Sequence, residues 1–260
     1  IERGDIAINH LEGKREIQIT ADLKDLSASE TEILDNIKTN IMPEILSKYP
    51  TVTPMYEGQN REAKKTTDSL NLVGPIILLL IYIVIAFTFR SYSQPVLLIV
   101  MIPFSMIGVI WGHYFHNFAI GILSFLGIIA LIGIMVNDGL VLIGKFNNYL
   151  KEGMKFDDAL VRAGQSRFRA IFLTSLTTVA GLAPLIFEKS RQAQFLIPMA
   201  ISIAYGIAIA TVLTLVMLPL LLSVSNTIKV GVKWLKTGNE ITKEEVERAI
   251  IESKFDEDEI

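Results

Sequence analysis

Cysteine is absent from all 260 residues, which excludes a disulfide framework and any thiolate metal site. Histidine is scarce. His113 and His116 stand one helical turn apart, but two ligands make no zinc centre, so both are read as loop or interfacial histidines. An excess of positive charge is also missing: the net charge is −3, and no nucleic-acid footprint follows from it. No nucleophile–base–acid constellation, phosphate loop or cofactor motif occurs. The chain is therefore expected not to be an enzyme and to need no cofactor or metal. Apolar sequence, by contrast, is abundant: 51% of the residues are hydrophobic, and mean hydropathy is +0.45. It comes in long blocks rather than short stripes, which is a membrane composition.

Five uncharged or nearly uncharged blocks predict transmembrane helices: Leu70–Phe89, Val96–Tyr114, Phe118–Gly144, Ala170–Phe187 and Phe195–Val224. Prolines at 75, 103, 184, 198 and 219 fall inside them, and membrane helices tolerate these where neighbours satisfy the freed carbonyls. Gly108 and Gly112 form a small-xxx-small pair, and Ala200, Ala204, Ala208 and Thr211 form a small face for helix packing. Lysine and arginine set the orientation. Between the third and fourth spans stand Lys145, Lys151, Lys155, Arg162, Arg167 and Arg169, and Lys229, Lys233 and Lys236 follow the fifth. The other connections carry few or none, so the basic loop and the tail are expected in the cytoplasm and the N-terminal segment outside. A polar segment outside, with no signal-type stretch before Ile1, predicts that a longer chain carries it across.

The third block concentrates the chemistry. Gly127–Gly144 is apolar, yet Asn137 and Asp138 sit inside it. A carboxylate at membrane depth costs a few kcal/mol and is a functional-site hypothesis by default. The six residues Gly139–Gly144 extend the uncharged run by about 9 Å at 1.5 Å per residue, which favours a sheltered position over a headgroup-level one. Ala130, Gly133, Asn137, Val141 and Gly144 share one side, where another helix can approach. The expected partner of Asp138 is another helix, or Lys145 two turns on. In the fourth block Thr174, Thr178 and Gly181 share a face; its threonines either bond back to their own helix or form a hydroxyl stripe beside a polar cluster.

Residues 1–67 are polar. Alternation at Ile6–Asn9 and Arg15–Asp22, a turn at Glu12-Gly13, a capping-box pattern at Ser29 and Glu32, and an apolar run at Val52–Glu57 predict a β-β-α-β half of a small α+β unit. Pro43 is expected to interrupt its helix or to sit near a kink in it. Such a unit is too small to bury a core alone and should pack on another part. The expected organisation is thus residues 1–67 as this unit, 68–225 as a five-helix membrane all-α bundle, and 226–260 as an acidic tail with one solvated helix near Glu240–Ile251.

The segments Gly133-Ile-Met-Val-Asn-Asp-Gly-Leu-Val-Leu-Ile143, Arg167-Phe-Arg-Ala-Ile-Phe-Leu-Thr-Ser-Leu176, Gly181-Leu-Ala-Pro-Leu185 and Gln194-Phe-Leu-Ile-Pro-Met-Ala200 come in a specific order. With Arg90-Ser-Tyr-Ser-Gln-Pro-Val96 they resemble the resistance-nodulation-division (RND) efflux permeases over nearly all of residues 1–225. The resemblance implies the last quarter of a longer permease, with these spans as the eighth to twelfth of twelve and the N-terminal unit as half of a periplasmic porter subdomain. It also implies a homotrimer in the bacterial inner membrane, a periplasmic adaptor and outer-membrane channel as partners, and lipophilic multidrug substrates expelled for protons, with the proton-motive force in place of a cofactor. Asn137 matches the position of the family's relay lysine, Arg167 its arginine and Thr174 its threonine, while Asp138 stands where those members carry a neutral amide. The proton-relay candidates are therefore Asp138, Asn137, Thr174 and Arg167. The departure at Asn137 and Asp138 keeps a heavy-metal cation exporter of the same family open as an alternative. A non-transporting membrane scaffold and an inactive truncated product are the others.

Overall fold

A computed structural model of the chain describes residues 9–11, 13–21, 30–56 and 59–251. Strands β1 (Asn9–Leu11) and β2 (Lys14–Glu16) pair antiparallel, with Asn9 opposite Glu16. Gly13 adopts φ +78, the left-handed conformation that suits glycine in a tight turn. Among the described residues the expected strand at Arg15–Asp22 is shorter and that at Val52–Glu57 is absent. Of Ile6–Asn9 only Asn9 is described, and it lies in β1. Residues 17–21 have no ladder partner, and Ile17 and Ile19 are 88% and 90% exposed. Residues 52–56 are irregular rather than a third strand. Asp22, Ser29 and Glu57 lie outside the described residues. The reason is that a two-stranded ribbon gains little unless its apolar face is covered.

Helix α1 (Glu30–Asn36) passes into a π-helical turn (Ile37–Ile41) and then α2 (Met42–Lys48). The same device recurs between α7 (Arg191–Val212) and α8 (Leu218–Thr237), through the π-helical turn Leu213–Met217. Each turn ends two residues before a proline, Pro43 or Pro219. Proline lacks an N–H and its ring crowds the carbonyl four residues back. One residue of slack restores a donor: the Met42 N–H reaches the Ile37 carbonyl, and the Leu218 N–H reaches that of Leu213. Pro43 therefore widens its helix instead of ending it. The fifth span is likewise continuous, from Ala193 to Thr237.

Among the described residues five helices are long and apolar enough to cross a membrane: α3 (Gln59–Phe89), α4 (Ser93–His116), α5 (Ile122–Lys151), α6 (Phe156–Ile186) and the α7–α8 rod. Asn117 at φ 52 closes α4, and Gly238 at φ 70 closes α8. The basic loop expected between the third and fourth spans is only residues 152–155. Arg162, Arg167 and Arg169 are helical residues of α6. Periodicity broke off at these charges, but helical hydrogen bonding does not.

Helix α7 is the hub, packed against α4, α5 and α6. Small residues make this possible. A Cβ on Gly108 would collide with the Tyr205 carbonyl, and one on Gly112 would come within 2.6 Å of Tyr205 Cγ. The expected small pair of α4 is thus where α7 rests. On α7, Ala200, Ala204 and Thr211 are buried as expected, but Ala208 is exposed. The buried face of α5 includes Gly127, Leu131, Met135, Leu142 and Phe146.

Candidate functional site

Asn137 lies in the middle of α5 on the side away from that buried face, whereas Asp138, three residues after Met135 and four before Leu142, borders it. Asn137 is exposed and Asp138 half-buried; Ala130, Gly133 and Val141, on the same side, are exposed as well. A Cβ added to Gly133 would meet nothing within 4 Å. Among the described residues the side expected to receive another helix is therefore open except at Gly144, which is half-buried and where an added Cβ would lie 3.7 Å from the Phe89 ring. Lys145 does not partner Asp138. Its ammonium sits 4.6 Å from the Tyr149 ring centroid, a cation–π contact. Among the described residues Asp138 makes no hydrogen bond or ion pair.

Arg167 and Thr174 stand two helical turns apart on α6. Arg167 Nε is buried with no hydrogen-bond partner. Thr174 is exposed, and its hydroxyl donates to the Ala170 carbonyl at 2.8 Å. Thr178 donates to the Thr174 carbonyl at 2.8 Å. The threonine stripe is thus back-bonded to its own helix, the simpler of the two readings. Among the described residues no hydrogen bond or ion pair joins Asn137 or Asp138 to Arg167 or Thr174. On these two neighbouring helices Asn137 and Thr174 are exposed, and Asp138 and Arg167 are half-buried.

Three buried polar contacts had no separate signal in the sequence. Gln94 donates to Asn147 Oδ1 at 2.8 Å, and Asn147 donates back to Gln94 Oε1 at 3.1 Å, tying the start of α4 to the end of α5. Thr211 donates to Ser175, tying α7 to α6. His113, expected at a loop or interface, is a helical residue buried against α7. Gln94 and Asn147 flank apolar runs and His113 stands near the end of one, where a polar residue ordinarily reads as headgroup-facing, whereas Thr211 and Ser175 lie within theirs.

The tail also departs from expectation. Residues 238–251 hold a 3-10 turn (Glu244–Val246) rather than one solvated helix, and they dock. Glu244 accepts the Phe156 N–H at 2.9 Å, capping the first turn of α6, and Lys243 pairs with Asp157 at 2.7 Å. Glu247 is buried, accepting from Asn226 at 2.8 Å and pairing with Lys229 at 3.2 Å. Ala249 joins the apolar core. The tail thus straps α6 to α8.

The profile of the AcrB/AcrD/AcrF family matches residues 2–225. The chain belongs to that family, the RND permeases. This RND chain is 28% identical over 217 residues to the cobalt-zinc-cadmium resistance protein CzcA of Cupriavidus metallidurans, covering 82% of the chain and 20% of that protein. It is 26% identical over 156 residues to the multidrug resistance protein MdtC of Erwinia tasmaniensis, covering 60% of the chain and 15% of that protein. In fold it is similar to the crystal structure of a heavy metal efflux pump, with TM-score 0.59 at 24% identity, over 72% of the chain and 19% of the pump. The chain spans about a fifth of the length of the curated relatives it matches.

Proposed function

We propose that this chain supplies the second helical repeat of a proton-driven efflux permease in a bacterial inner membrane, working as a homotrimer with a periplasmic adaptor and an outer-membrane channel. The observation that carries the reading is the exposed side of α5 at Ala130, Gly133, Asn137 and Val141, with the half-buried Asp138 at its border in an apolar stretch. A helix that buries one face against its neighbours and leaves a polar, small-residue face open within the lipid needs a protein partner there. In a longer RND chain the first repeat is that partner.

In this mechanism a proton reaches the polar face when the site opens to one side and leaves when it opens to the other. Protonating a sheltered carboxylate removes a buried charge. The balance between a helix held by an ion pair and one released then shifts, and α5 and α6 slide against the facing repeat. Asp138 is the titrating group of this chain, Asn137 its hydrogen-bonding neighbour, Thr174 a hydroxyl step and Arg167 the cation that favours the deprotonated form. The energy comes from the proton gradient, and no cofactor enters.

The substrate reading is export of lipophilic drugs. A second reading, export of heavy-metal cations, is supported by the names of relatives such as CzcA and by Asp138 at a position where the drug-exporting type carries an amide. Complementation of an efflux-deficient strain by the full-length gene separates them. Protection against dyes and bile salts supports the first, and protection against cobalt, zinc and cadmium the second. Protection against neither sinks the transporter reading in favour of a scaffold or an inactive product. Asp138→Asn in the same protein is expected to abolish proton-coupled export while leaving the trimer intact. Unchanged export would remove Asp138 from the relay.

A further inference from the structure

His113 stands in the last turn of α4, yet only 3% of it is exposed. Its Nδ1 lies 3.1 Å from the Phe118 carbonyl oxygen, an atom that can only accept. Its Nε2 lies 3.0 Å from Ser202 Oγ. Ser202 Oγ in turn lies 3.0 Å from the Pro198 carbonyl oxygen, which also can only accept. Hydrogen-bond bookkeeping allows two arrangements of the same heavy atoms. In both, Nδ1 carries a hydrogen and donates it to Phe118. With a neutral ring, Nε2 accepts from the Ser202 hydroxyl. With a second proton, Nε2 donates to Ser202 Oγ, and the serine hydrogen turns to Pro198. In an α-helix that carbonyl has the Ser202 N–H as its regular partner, so it is not orphaned when the hydroxyl turns away.

We propose that His113, with Ser202 as its reversible partner, is a proton-binding site at the junction of α4, α5 and α7, separate from the relay candidates on α5 and α6. Both charge states keep the ring fully hydrogen-bonded, so a proton enters or leaves by rotation of one hydroxyl. The site is closed on the α5 side by Gly127, where an added Cβ would approach Ser202 Cβ to 2.8 Å. It lies at the far end of the bundle from the Gln94–Asn147 pair and the docked tail, since α4 begins at one and ends at the other.

The ionisable groups around it are few. On α4, His116 follows one turn later, with Nε2 3.0 Å from Tyr205 OH of α7. Helix α5 carries none from Ile122 to Asn137, and α7 carries only Tyr205 from Phe195 to Leu213. From the end of α6, the Phe187 ring lies 6.1 Å from that of His116, and the Glu188 carboxylate accepts the N–H groups of Lys189 and Ser190. Among the described residues no carboxylate is hydrogen-bonded to either imidazole. The charged ring is held by the Phe118 carbonyl and the serine oxygen rather than by an ion pair.

The test is nitrogen-15 NMR of histidine-labelled full-length protein in lipid nanodiscs, from about pH 4 to about pH 9, around the ordinary imidazole range. The His113 signals are identified by their loss in His113→Gln or, should that variant not insert, in His113→Asn. His113 is expected to pass reversibly from the Nδ1–H tautomer to imidazolium with helix content unchanged. Ser202→Ala is expected to move its midpoint by at least about half a pH unit. A single protonation state throughout, an Nε2–H tautomer, or a midpoint indifferent to Ser202→Ala overturns the proposal. The readout is protonation and not transport, so failure here leaves the efflux reading untouched, and the reverse holds as well.

Discussion

The two sides of α5 carry similar residues and have opposite fates. One side presents Gly127, Leu131 and Gly139 to α7, α4 and α8, and it is closed so tightly that a Cβ on Gly127 would lie 2.7 Å from the Met199 carbonyl. The other presents Ala130, Gly133, Asn137 and Val141, all exposed, and only at Gly144 does a described residue, Phe89, come near an added Cβ, at 3.7 Å. The burial of whole spans repeats the contrast: 50% of the apolar window of α5 is buried, against 17% for α6 and 6% for α3. Small residues therefore mark where helices are able to meet, and only the polar pair Asn137–Asp138 distinguishes an unfilled contact from a filled one. The filled contacts give the bundle its shape, and the open side is where chemistry with a facing repeat belongs.

The sharpest way to break this contrast is to overfill the closed side. Gly108→Val would drive a branched side chain into the Tyr205 carbonyl, a backbone atom that no rotamer change can move. The expected loss is at or above the upper end of about 1–3 kcal/mol, read as a lower denaturant midpoint in mixed micelles. A variant as stable as the parent would show that α4 and α7 are not in contact. Next comes the buried amide pair. Gln94→Leu leaves the Asn147 amide without its partner and should cost about 1–3 kcal/mol, while the double change with Asn147→Leu should recover most of it. Absence of that recovery would argue against a direct pair.

Smaller effects follow at the strap and on the open side. Glu247→Ala removes the buried carboxylate that holds Asn226 and Lys229, at about 1 kcal/mol given the partial exposure of the lysine. Faster protease cleavage after Thr237 is the expected readout, and an unaltered rate would mean that the tail does not depend on this contact. The smallest change is Gly133→Ala. In this chain it meets no neighbour and should stabilise the helix by about 0.5–1 kcal/mol. The same variant in the full-length protein sharpens the comparison: a loss of stability there locates a facing helix against Gly133, and a gain places the open side in lipid.

Much of this was legible in the residues. The five spans, the packing role of Gly108 and Gly112, and the family motifs around Asn137, Arg167 and Thr174 follow from long apolar runs, small-residue spacing and ordered signatures. Span ends were less legible: α6 begins at Phe156, because helical hydrogen bonding continues through the charges that break an apolar pattern. Of the expected strands Arg15–Asp22 and Val52–Glu57, residues 17–21 and 52–56 are irregular, because alternation describes a face that needs a cover, and none lies among the described residues. Ser175 was hidden behind its neighbour Thr174, since adjacent hydroxyls on a helix differ only in the direction they point. His113 looked like a loop residue because it ends an apolar run.

By itself the order of amino acids determined that this chain enters a membrane with helices and that one of them carries a carboxylate among apolar neighbours. Hydrophobic length and the cost of burying charge are local quantities that a sequence states directly. Which hydroxyl faces which helix, which side of α5 is closed, and how the acidic tail folds back onto α6 and α8 were decided only in three dimensions. Those outcomes depend on the relative rotation and distance of helices, and these are set by packing between residues far apart along the chain.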